Sequence, residues 1–465
     1  MTRIFRNARI PAGGDGTRLA DFAVTNGRFA WFDLPGLREE GGAAGMDLGG
    51  ALVLPGVMDG HVHFDDPGYT WRETFTTGTR AAAAGGVTCV ADMPCTSVPP
   101  VVSVDALALK LEVISPQAHV DFMCWGGICA SLMEGGGDWC AELHELADAG
   151  AAAVKGYLLS GMESFPALSP AQLLDAAATC RDAGLPLGVH AEDRDLVLAR
   201  TAELRAAGRG DPLAFVESRP GEAERRAAET VIAVARQTGA PLHVVHLGSG
   251  AALDLLVEAR RGGAAVTAET CPHYLAFTQE DFGRLGSRLK TAPPVKEEAD
   301  RRRLWQGVEN GDIAFIATDH AAGQWPAEKE TGSFWTDYCG VPGVELLLPW
   351  MLQEGVGAGR ITLERLVELL CSAPARFFGI SGRKGALEEG LDADFVVLAE
   401  DEPWTVRSSA LHCLNRYTPF EGVELQTRVG QTWVRGELVY SAADDAFPAG
   451  PGWGVFVPRE VRCNG

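Results

Sequence analysis

An alternation of apolar β-like runs with Ala/Leu/Glu-rich helical segments extends from residue 55 to about residue 375 and limits the chain to few folds. Several of the helical segments end in glycine, as helix C-termini prefer. The eight β-like runs are GVMDGHVHF, GVTCVADMP, HVDFMCWGGI, AAAVKGYLL, LPLGVHAE, APLHVVHLG, AAVTAETCP and DIAFIATDH. This alternation predicts an α/β fold, a parallel (β/α)8 TIM barrel. An open doubly wound sheet is the competing interpretation, but it requires a Gly-rich nucleotide turn after the first strand, and the sequence has none there.

Both flanks of this alternation carry shorter β-like pieces. Residues 1–54 contain RIFRNARI and DFAVTNGRFAWFDL, and residues 385–465 contain DADFVVLA, WTVRSSA and TWVRGELVY. Neither flank is large enough to form a stable hydrophobic core alone. We therefore expect residues 1–54 and 385–465 to form one small β-sandwich domain, beside a barrel domain at residues 55–384.

The acidic balance and the cysteine content bear on partners and compartment. A net charge of −22 over 465 residues disfavours nucleic acid and anionic membranes, since both select basic surfaces. No apolar run approaches the ~20 residues that span a bilayer. Eleven scattered cysteines include no CxxC pair, and MTRIFRNARI lacks the apolar core of a signal peptide. We expect a cytoplasmic protein with reduced thiols, no nucleic acid partner and no membrane partner.

Residue types that bind metals end five of the predicted strands. His61 and His63 end the first strand, and side-chain alternation points both the same way, as two ligands of one ion must lie. The other strand-end residues are Lys155, His190, His246 and Asp319, on the fourth, fifth, sixth and eighth strands. In a barrel these ends converge on the face where active sites form, so the sequence predicts a metal site.

Lys155 is the unusual member, because a protonated lysine ammonium has three donors and no acceptor and cannot bind a cation. It could cover a strand end or pair with an acid. Alternatively, CO2 has converted its amine to a carbamate, which would supply two anionic oxygens that bridge two metals. Four imidazoles, one carbamate and one carboxylate would then suit a pair of Zn²⁺ ions.

Motifs throughout the chain together resemble the amidohydrolase superfamily, and within it the cyclic amidohydrolases: allantoinases, dihydroorotases and hydantoinases or dihydropyrimidinases. The resemblance runs nearly end to end and is strongest to allantoinases. The motifs at the metal centre are HVHF (61–64), AAAAGGVTCVADMP (81–94), VKGY around Lys155, VHAED (189–193), HVVHLG (243–248), ETCPHYL (269–275) and TDH (318–320).

This resemblance implies a function and a set of ligands. His61, His63 and Asp319 would bind the more buried of two divalent ions, His190 and His246 the second, and carboxylated Lys155 would bridge them. The implied reaction is hydrolysis of a ring C–N amide bond by a hydroxide that the metals share, with Asp319 as general base and then acid. Zn²⁺ is the default metal for such ligands. His243 is interpreted as structural because alternation turns it away from His246, and His273 and His320 at most support the ligands.

The positions that set specificity in this family depart from each subfamily. Dihydroorotases carry Arg and Asn where this chain has Asp65 and Cys95, and hydantoinases carry a Tyr at the position of Ser160. GMESFPALS (161–169), SVPP (97–100), LKTAPPVK (289–296) and GVPGVELLLP (340–349) match allantoinases, although Asp65 again differs. Asp65 would repel an anionic substrate and suit a neutral or amine-bearing ring. The resemblance also places the backbone of Ala292 and Gly340 against the ring amide of the substrate.

Other interpretations stay open. Residues 321–340 form a long, polar, Trp-containing stretch that is either a lid or an exposed loop. A dihydroorotase, a hydantoinase or dihydropyrimidinase, or another cyclic imide or lactam hydrolase is an alternative within the branch. A non-catalytic dihydropyrimidinase-like scaffold, a one-metal deaminase and an isopeptidase or deacetylase are alternatives of other classes. Relatives of this kind form dimers or tetramers, so the resemblance implies a homo-oligomer.

Overall fold

The computed structural model describes residues 2–33, 35, 45–400 and 402–460, so residues 1, 34, 36–44, 401 and 461–465 of the predicted sandwich lie outside the described residues. The N-terminal strands β1 (Thr2–Pro11), β2 (Thr17–Thr25) and β3 (Arg28–Asp33) pair antiparallel, and β4 (Met46–Asp47) runs parallel to β1. Asn26 and Gly27 turn the chain between β2 and β3 with positive φ angles of 52° and 79°, as a two-residue hairpin turn requires. Strand β5 (Val53–Pro55) then leads into the barrel.

The barrel consists of parallel strands that form two sheets, and the outer strands of one sheet adjoin those of the other along the chain. One sheet has the order β15-β6-β7-β8 and the other the order β14-β13-β12-β11-β10-β9. Only Trp125 separates β8 from β9, and residues 317–319 separate β14 from β15, so the sheets join at the third and eighth strands. The strands are β6 (Val57–His63), β7 (Val87–Asp92), β8 (Asp121–Cys124), β9 (Gly126–Gly127), β10 (Val154–Tyr157), β11 (Leu187–His190), β12 (Leu242–Val244), β13 (Val266–Thr270), β14 (Phe315–Ile316) and β15 (His320–Ala321). The predicted (β/α)8 barrel is confirmed.

Helices follow the barrel strands and cover them with an apolar layer. Side-chain oxygens of Thr74, Ser169 and Ser249 accept hydrogen bonds from the first turns of the helices that follow them. The helices are α1 (Phe75–Ala84), α2 (Val104–Ile114), α3 (Ala130–Glu134), α4 (Trp139–Asp148), α5 (Pro170–Asp182), α6 (Arg194–Ala206), α7 (Pro212–Ser218), α8 (Gly221–Thr238), α9 (Gly250–Arg261), α10 (Pro272–Ala276), α11 (Phe282–Leu285), α12 (Glu298–Asn310), α13 (Leu347–Met351), α14 (Leu363–Val367) and α15 (Ala373–Phe377). Within the described ranges, none of these helices has the length and apolar character needed to cross a membrane.

Apolar side chains fill the barrel below the carboxyl ends of its strands. The Trp125 ring packs edge-on against Phe378 with their centroids 5.7 Å apart, and its Nε1 donates to the carbonyl of Gly60 at 3.1 Å. A Cβ atom on Gly60 would come within 3.0 Å of Phe315 and Phe378, so the close packing here requires glycine. This apolar floor leaves the polar strand-end residues above it, at one face of the barrel.

The C-terminal strands complete the β domain. Strands β16 (Phe395–Ala399), β19 (Arg428–Val434) and β20 (Glu437–Ser441) form a sheet with β5 in the order β20-β19-β16-β5, and β17 (Trp404–Thr405) pairs with β18 (Glu424–Leu425). Phe5 and Phe22 from the first sheet pack against Phe395 and Trp433 from the second, with centroids of Phe5 and Phe395 5.1 Å apart. The small β domain built from both ends is confirmed, and its boundaries at residues 54 and 385 stay a prediction.

Two further features concern the whole chain. All six lysines of the sequence are buried, with at most 6 % of each residue exposed: Lys110, Lys155, Lys290, Lys296, Lys329 and Lys384. The chain after β20 also returns to the barrel, where Phe122 of β8 donates to Val455 at 3.0 Å and accepts from Val457 at 2.8 Å. Both ends of the chain therefore contribute to the folded unit.

Candidate metal centre

The six metal-ligand candidates meet at the carboxyl ends of the barrel strands. His61 and His63 lie at the end of β6, Lys155 lies in β10, and His190 ends β11. The others are His246, two residues after β12, and Asp319, between β14 and β15. His63, His190, His246 and Asp319 line one cavity of about 680 Å³, whereas His61 and Lys155 are fully buried. The fold thus brings all six together.

His61, His63 and Asp319 form the tightest group. Oδ1 of Asp319 lies 3.2 Å from Nε2 of His61 and 3.2 Å from Nε2 of His63. The ligand atoms of all three residues lie within 4.8 Å of one another. Nε2 of His61 is buried and makes no hydrogen bond with any described residue. A buried nitrogen that faces a carboxylate without a hydrogen bond to it is costly, and an ion bound between them would satisfy both, so these three residues fit a metal.

His190 and His246 form a second pair in the same cavity. Nδ1 of His190 lies 3.1 Å from Nε2 of His246, and the His246 ring lies 5.3 Å from that of His61. Two imidazole nitrogens at this separation are close enough to bind one ion at the usual ~2.0–2.1 Å. The backbone of His246 has a positive φ of 40°, and that of Asp319 has 49°, conformations that are uncommon for residues other than glycine.

The amine of Lys155 lies beneath the cavity without a hydrogen-bond partner among the described residues. It lies 4.8 Å from the centroid of the Tyr157 ring. Burial lowers the pKa of Lys155 from 10.5 to about 8, because a charged ammonium is poorly solvated there. A nitrogen so placed fits either a neutral amine or a modified one better than it fits an unpaired ammonium.

Two buried acids that the sequence did not single out hold the histidines. Glu269 in β13 accepts from Nδ1 of His61 at 2.6 Å and from Nε2 of His243 at 3.2 Å. The pKa of Glu269 falls to about 2, since His61 and His243 outweigh the opposing effect of burial. Glu192 accepts from Nε2 of His190 at 2.8 Å and pairs with Arg219. The signal that could have found both acids is their position at a strand end or just beyond it, in ETCP and VHAED.

His243 is not one of the candidate metal ligands, as predicted. Side-chain alternation along one strand is not the reason, because His246 lies beyond the end of that strand. Both His243 and His246 contact Glu269, His243 through its ring and His246 through its backbone N–H at 3.3 Å. The His243 ring stacks on Phe315 inside the barrel, 5.1 Å between centroids. Strand β12 ends at Val244, and the positive φ of His246 brings that side chain to the cavity, so regular alternation does not reach it.

The two remaining histidines of the motifs have other partners. Nδ1 of His320 accepts from the backbone N–H of Gly343 at 3.2 Å, and its Nε2 lies 3.4 Å from Glu73. The His273 ring packs at a tilt against Tyr274 with centroids 4.2 Å apart, and burial lowers the pKa of His273 to about 4. Asp59 supports the centre from below, because it accepts the N–H of Thr318 at 3.0 Å and so positions the turn that carries Asp319.

Four of the five predicted substrate contacts line the cavity, namely Cys95, Ser160, Ala292 and Gly340. Sγ of Cys95 lies 3.1 Å from the hydroxyl of Tyr157. The carbonyl of Gly340 already accepts from Nζ of Lys329 at 2.8 Å and from the hydroxyl of Tyr417 at 3.0 Å. The fifth, Asp65, is buried at 1 % exposure and is absent from the cavity lining, and its carboxylate oxygens make no hydrogen bond with described residues. The preference for a neutral or amine-bearing ring, which was inferred from Asp65, is therefore not supported by any contact of Asp65 with the cavity.

Cavity residues that the sequence did not indicate include Tyr69, Arg72, Arg219 and Tyr338. Residues 321–340 supply one wall of the cavity through Ala321 and Tyr338 to Gly340. Two buried lysines hold this wall: Lys329 donates to the carbonyls of Tyr338 and Gly340, both at 2.8 Å, and Lys290 donates to those of Phe334 and Asp337. This stretch is therefore part of the cavity wall.

Imidazole and carboxylate groups lie together at the strand ends of a closed (β/α)8 barrel. This arrangement is typical of the class of barrel hydrolases that work with metal ions. Comparison with known proteins is consistent with this class. The sequence profile of the amidohydrolase family matches residues 52–439. An allantoinase of Streptomyces avermitilis is 39 % identical over 450 residues, covering 96 % of this chain and 97 % of that one. An L-hydantoinase of Paenarthrobacter aurescens is 34 % identical over 461 residues, covering 98 % of both chains.

Solved structures give the same result. The L-hydantoinase (dihydropyrimidinase) from Arthrobacter aurescens superposes with a TM-score of 0.92 at 32 % identity, covering 99 % of this chain and 100 % of that one. The chain belongs to the amidohydrolase family. The resemblance inferred from its motifs is confirmed.

Proposed function

We propose that this chain is an allantoinase-type hydrolase that opens a cyclic amide or ureide ring with two divalent metal ions. The observation that carries the proposal is the convergence of four histidines, Asp319 and the unpartnered amine of Lys155 at one end of the barrel. Membership of the amidohydrolase family and the relatives named above support hydrolysis of cyclic amides as the activity.

In this proposal each residue of the centre has a role. His61, His63 and Asp319 would hold the more buried ion, and His190 and His246 would hold the second. Lys155 would contribute an anionic group to both once its neutral amine has added to CO2, which forms an N–C bond and releases one proton. When bound, the ions supply Lewis acidity, which lowers the pKa of water toward 7 and polarises the amide carbonyl. Zn²⁺ suits these ligands.

Asp319 moves the proton. Its Oδ1 faces both histidines at 3.2 Å, and its side chain is 13 % exposed toward the cavity. The carboxylate accepts the proton from the attacking water and returns it to the ring nitrogen as the C–N bond breaks. Glu269 and Glu192 hold the rings of His61 and His190 in the orientation that this requires. The apolar floor of the barrel excludes bulk water from below.

Hydantoin hydrolysis is the second candidate function. The superposition with an L-hydantoinase at a TM-score of 0.92 and the 34 % identical L-hydantoinase favour it. Against it, position 160 is Ser, and the tyrosine of this segment that lines the cavity is Tyr157, three residues earlier. The allantoinase-like stretches GMESFPALS and LKTAPPVK favour allantoin. Dihydroorotate is disfavoured, since Asp65 and Cys95 replace the residues that grip its carboxylate.

A hydrolysis screen tests the proposal directly. The metal-loaded protein is offered allantoin, hydantoin, dihydrouracil, dihydroorotate and succinimide, and its metal content is measured on the same sample. We expect two ions per chain and the highest kcat/KM for allantoin. Preferred turnover of hydantoin would move the protein to the second candidate. Two bound ions with no ring opened at all would overturn the proposed activity.

The role of Lys155 has its own test. Intact mass of the metal-loaded protein is expected to show the increment of one CO2, and Lys155→Met is expected to lack it and to bind fewer than two ions. Lys155→Met with two tightly bound ions would rule out the bridge. Arg302→Met, which removes an exposed cation on α12, is the control and is expected to keep both the mass increment and the ions.

Location and assembly complete the proposal. We place the protein in the cytoplasm because its eleven cysteines are scattered without a disulfide-like pattern. We propose a homo-oligomer, a dimer or a tetramer, on the family resemblance, and light scattering coupled to gel filtration measures it.

A further inference from the structure

Arg72 stands in the cavity wall, on the chain segment between β6 and α1. Its guanidinium lies between two aromatic rings, 4.7 Å from the centroid of Tyr69 and 4.3 Å from that of Tyr338. Its Nε and Nη2 atoms donate to the carboxylate of Glu328 at 2.9 Å and 2.8 Å, a two-point pairing. These contacts come from two separate segments of the chain, so the plane of the guanidinium is fixed before any ligand arrives.

One edge of this guanidinium makes no hydrogen bond with any described residue, although the buried Asp65 lies close enough to interact with its charge. The hydrogen bonds that Arg72 makes with the described residues use only Nε and Nη2, which leaves the two N–H groups of Nη1 available. The side chain is 18 % exposed and lines the cavity. No hydrogen bond or ion pair joins Arg72 to any of the six candidate metal ligands within the described ranges. Its free donors are therefore separate from the groups that the proposed function assigns to the amide bond that breaks.

The charge around Arg72 selects the kind of acceptor. Glu328 pairs with the guanidinium at short range, and the buried Asp65 also interacts with its charge, so the site presents directed donors with little net positive charge. A further carboxylate would meet the negative charge of Glu328, whereas a neutral carbonyl oxygen would not. A ureido or carbamoyl oxygen is such a neutral acceptor, and the nitrogen lone pairs conjugated with its carbonyl increase the electron density on that oxygen.

We propose that Arg72 determines specificity by donating from Nη1 to a neutral carbonyl oxygen, of the ureido or carbamoyl type, on the ring substituent of the substrate. The proposal rests on the proposed function and deepens it, because it names the substrate group that the cavity recognises. It also differs from the inference drawn from Asp65, since the recognising residue is a cation that lines the cavity.

The test compares allantoin with hydantoin, which has the same ring without the ureido group. We expect Arg72→Met to lower the ratio of kcat/KM for allantoin to that for hydantoin about tenfold or more, the loss of a hydrogen bond from a charged donor. Arg72→Lys keeps the charge but loses the planar fork and is expected to recover only part of the ratio. Arg205→Met removes an exposed arginine that lies 5.1 Å from the Trp335 ring, outside the cavity lining, and is the matched control.

A second variant separates recognition from a general structural role. Glu328→Gln keeps a hydrogen-bond acceptor for Arg72 but removes the negative charge of the Glu328 side chain. We expect this variant to raise kcat/KM for the hydantoin that carries an acetate in place of the ureido group, relative to allantoin. A structural defect would lower both values together.

The outcomes distinguish the role of Arg72 from the proposed hydrolase activity on which that role rests. A wild-type protein that opens none of these rings defeats the proposed function. A wild-type protein that opens them, with Arg72 variants that lower all substrates equally or leave the ratio unchanged, defeats only the role of Arg72. A larger effect of Arg72→Met on the acetate-bearing ring than on allantoin would overturn the choice of a neutral acceptor.

Discussion

Glu269 links three parts of the metal centre through one carboxylate. It accepts from the rings of His61 and His243 and from the backbone of His246. The candidate ligands themselves were predictable because each lies within three residues of the carboxyl end of a barrel strand. Glu269 has the same kind of position, one residue before the end of β13, but its role depends on two rings and one backbone N–H from other segments, and no spacing along the sequence records those contacts.

Loss of the Glu269 charge should weaken metal binding without unfolding the protein. Glu269→Gln removes the anion that accepts from Nδ1 of His61, so we expect metal affinity to fall about 10–100-fold. Competition with a fluorescent chelator measures the affinity. Glu258→Gln, an exposed acid on α9, is the matched control. Equal affinities for the wild type and Glu269→Gln would contradict this role.

At the scale of elements, the eighth strand departs from its sequence pattern. DIAFIATDH predicts one continuous run, but the structure has β14 and β15 with a turn between them. Asp59 on β6 accepts from Thr318 and bends the chain there, and Asp319 takes a φ of 49°. The pattern of apolar residues reports burial, so it cannot report a break that a carboxylate on another strand imposes. The third run is also divided, at Trp125 between β8 and β9, and each of the other six runs contains one barrel strand.

The wall formed by residues 321–340 should loosen when its buried lysine is removed. Lys329→Met deletes two hydrogen bonds to the carbonyls of Tyr338 and Gly340 and retains an apolar side chain of similar length. We expect faster amide hydrogen exchange in this segment and a fall in kcat/KM of about tenfold or more, because each of the two lost hydrogen bonds is worth about 1 kcal/mol.

The control for this wall is Glu330→Gln, an exposed change in the same segment. It is expected to leave both exchange and activity as in the wild type. Unchanged exchange in Lys329→Met would show that Tyr417 and the other contacts hold the wall without the lysine.

For the whole molecule, a buried ion network joins the barrel to the β domain. Nζ of Lys384 lies 2.7 Å from Asp121 of β8, 2.5 Å from Asp394 and 3.4 Å from Asp392, and Arg435 also pairs with Asp121. The two-ended domain was predictable from leftover strands and size. The network was not, because it depends on which charges meet when the two bodies pack together.

Removing the lysine of this network should destabilise the fold strongly. Lys384→Met leaves three buried carboxylates short of their cation, and we expect a loss of about 3–5 kcal/mol in the free energy of unfolding. Urea denaturation measures it. Glu388→Gln, at an exposed position, is expected to change stability by less than about 0.5 kcal/mol. A loss in Lys384→Met as small as that of the control would show that the network contributes little.

Acid stability should depend on His119. Burial, and then the charge of Arg80, lowers the pKa of His119 from 6.5 to about 4, so the folded protein keeps this ring neutral where the unfolded chain takes up a proton. Stability is therefore lost as the pH falls from about 6.5 to about 4, with no further loss from this group below that. His119→Phe keeps a ring against Phe447 and is expected to lose less stability over this range. Urea midpoints that fall in parallel for both proteins would contradict it.

The burial of all six lysines has a consequence for handling the protein. Reagents that attack amines, such as succinimidyl esters, cyanate and aldehydes, find no lysine at the surface of the folded chain, where the cationic side chains are arginines. A single lysine introduced at an exposed arginine such as Arg205 would then be a unique side-chain handle for labelling or immobilisation. The same reagents would react broadly once the chain opens, so amine labelling reports unfolding almost without background.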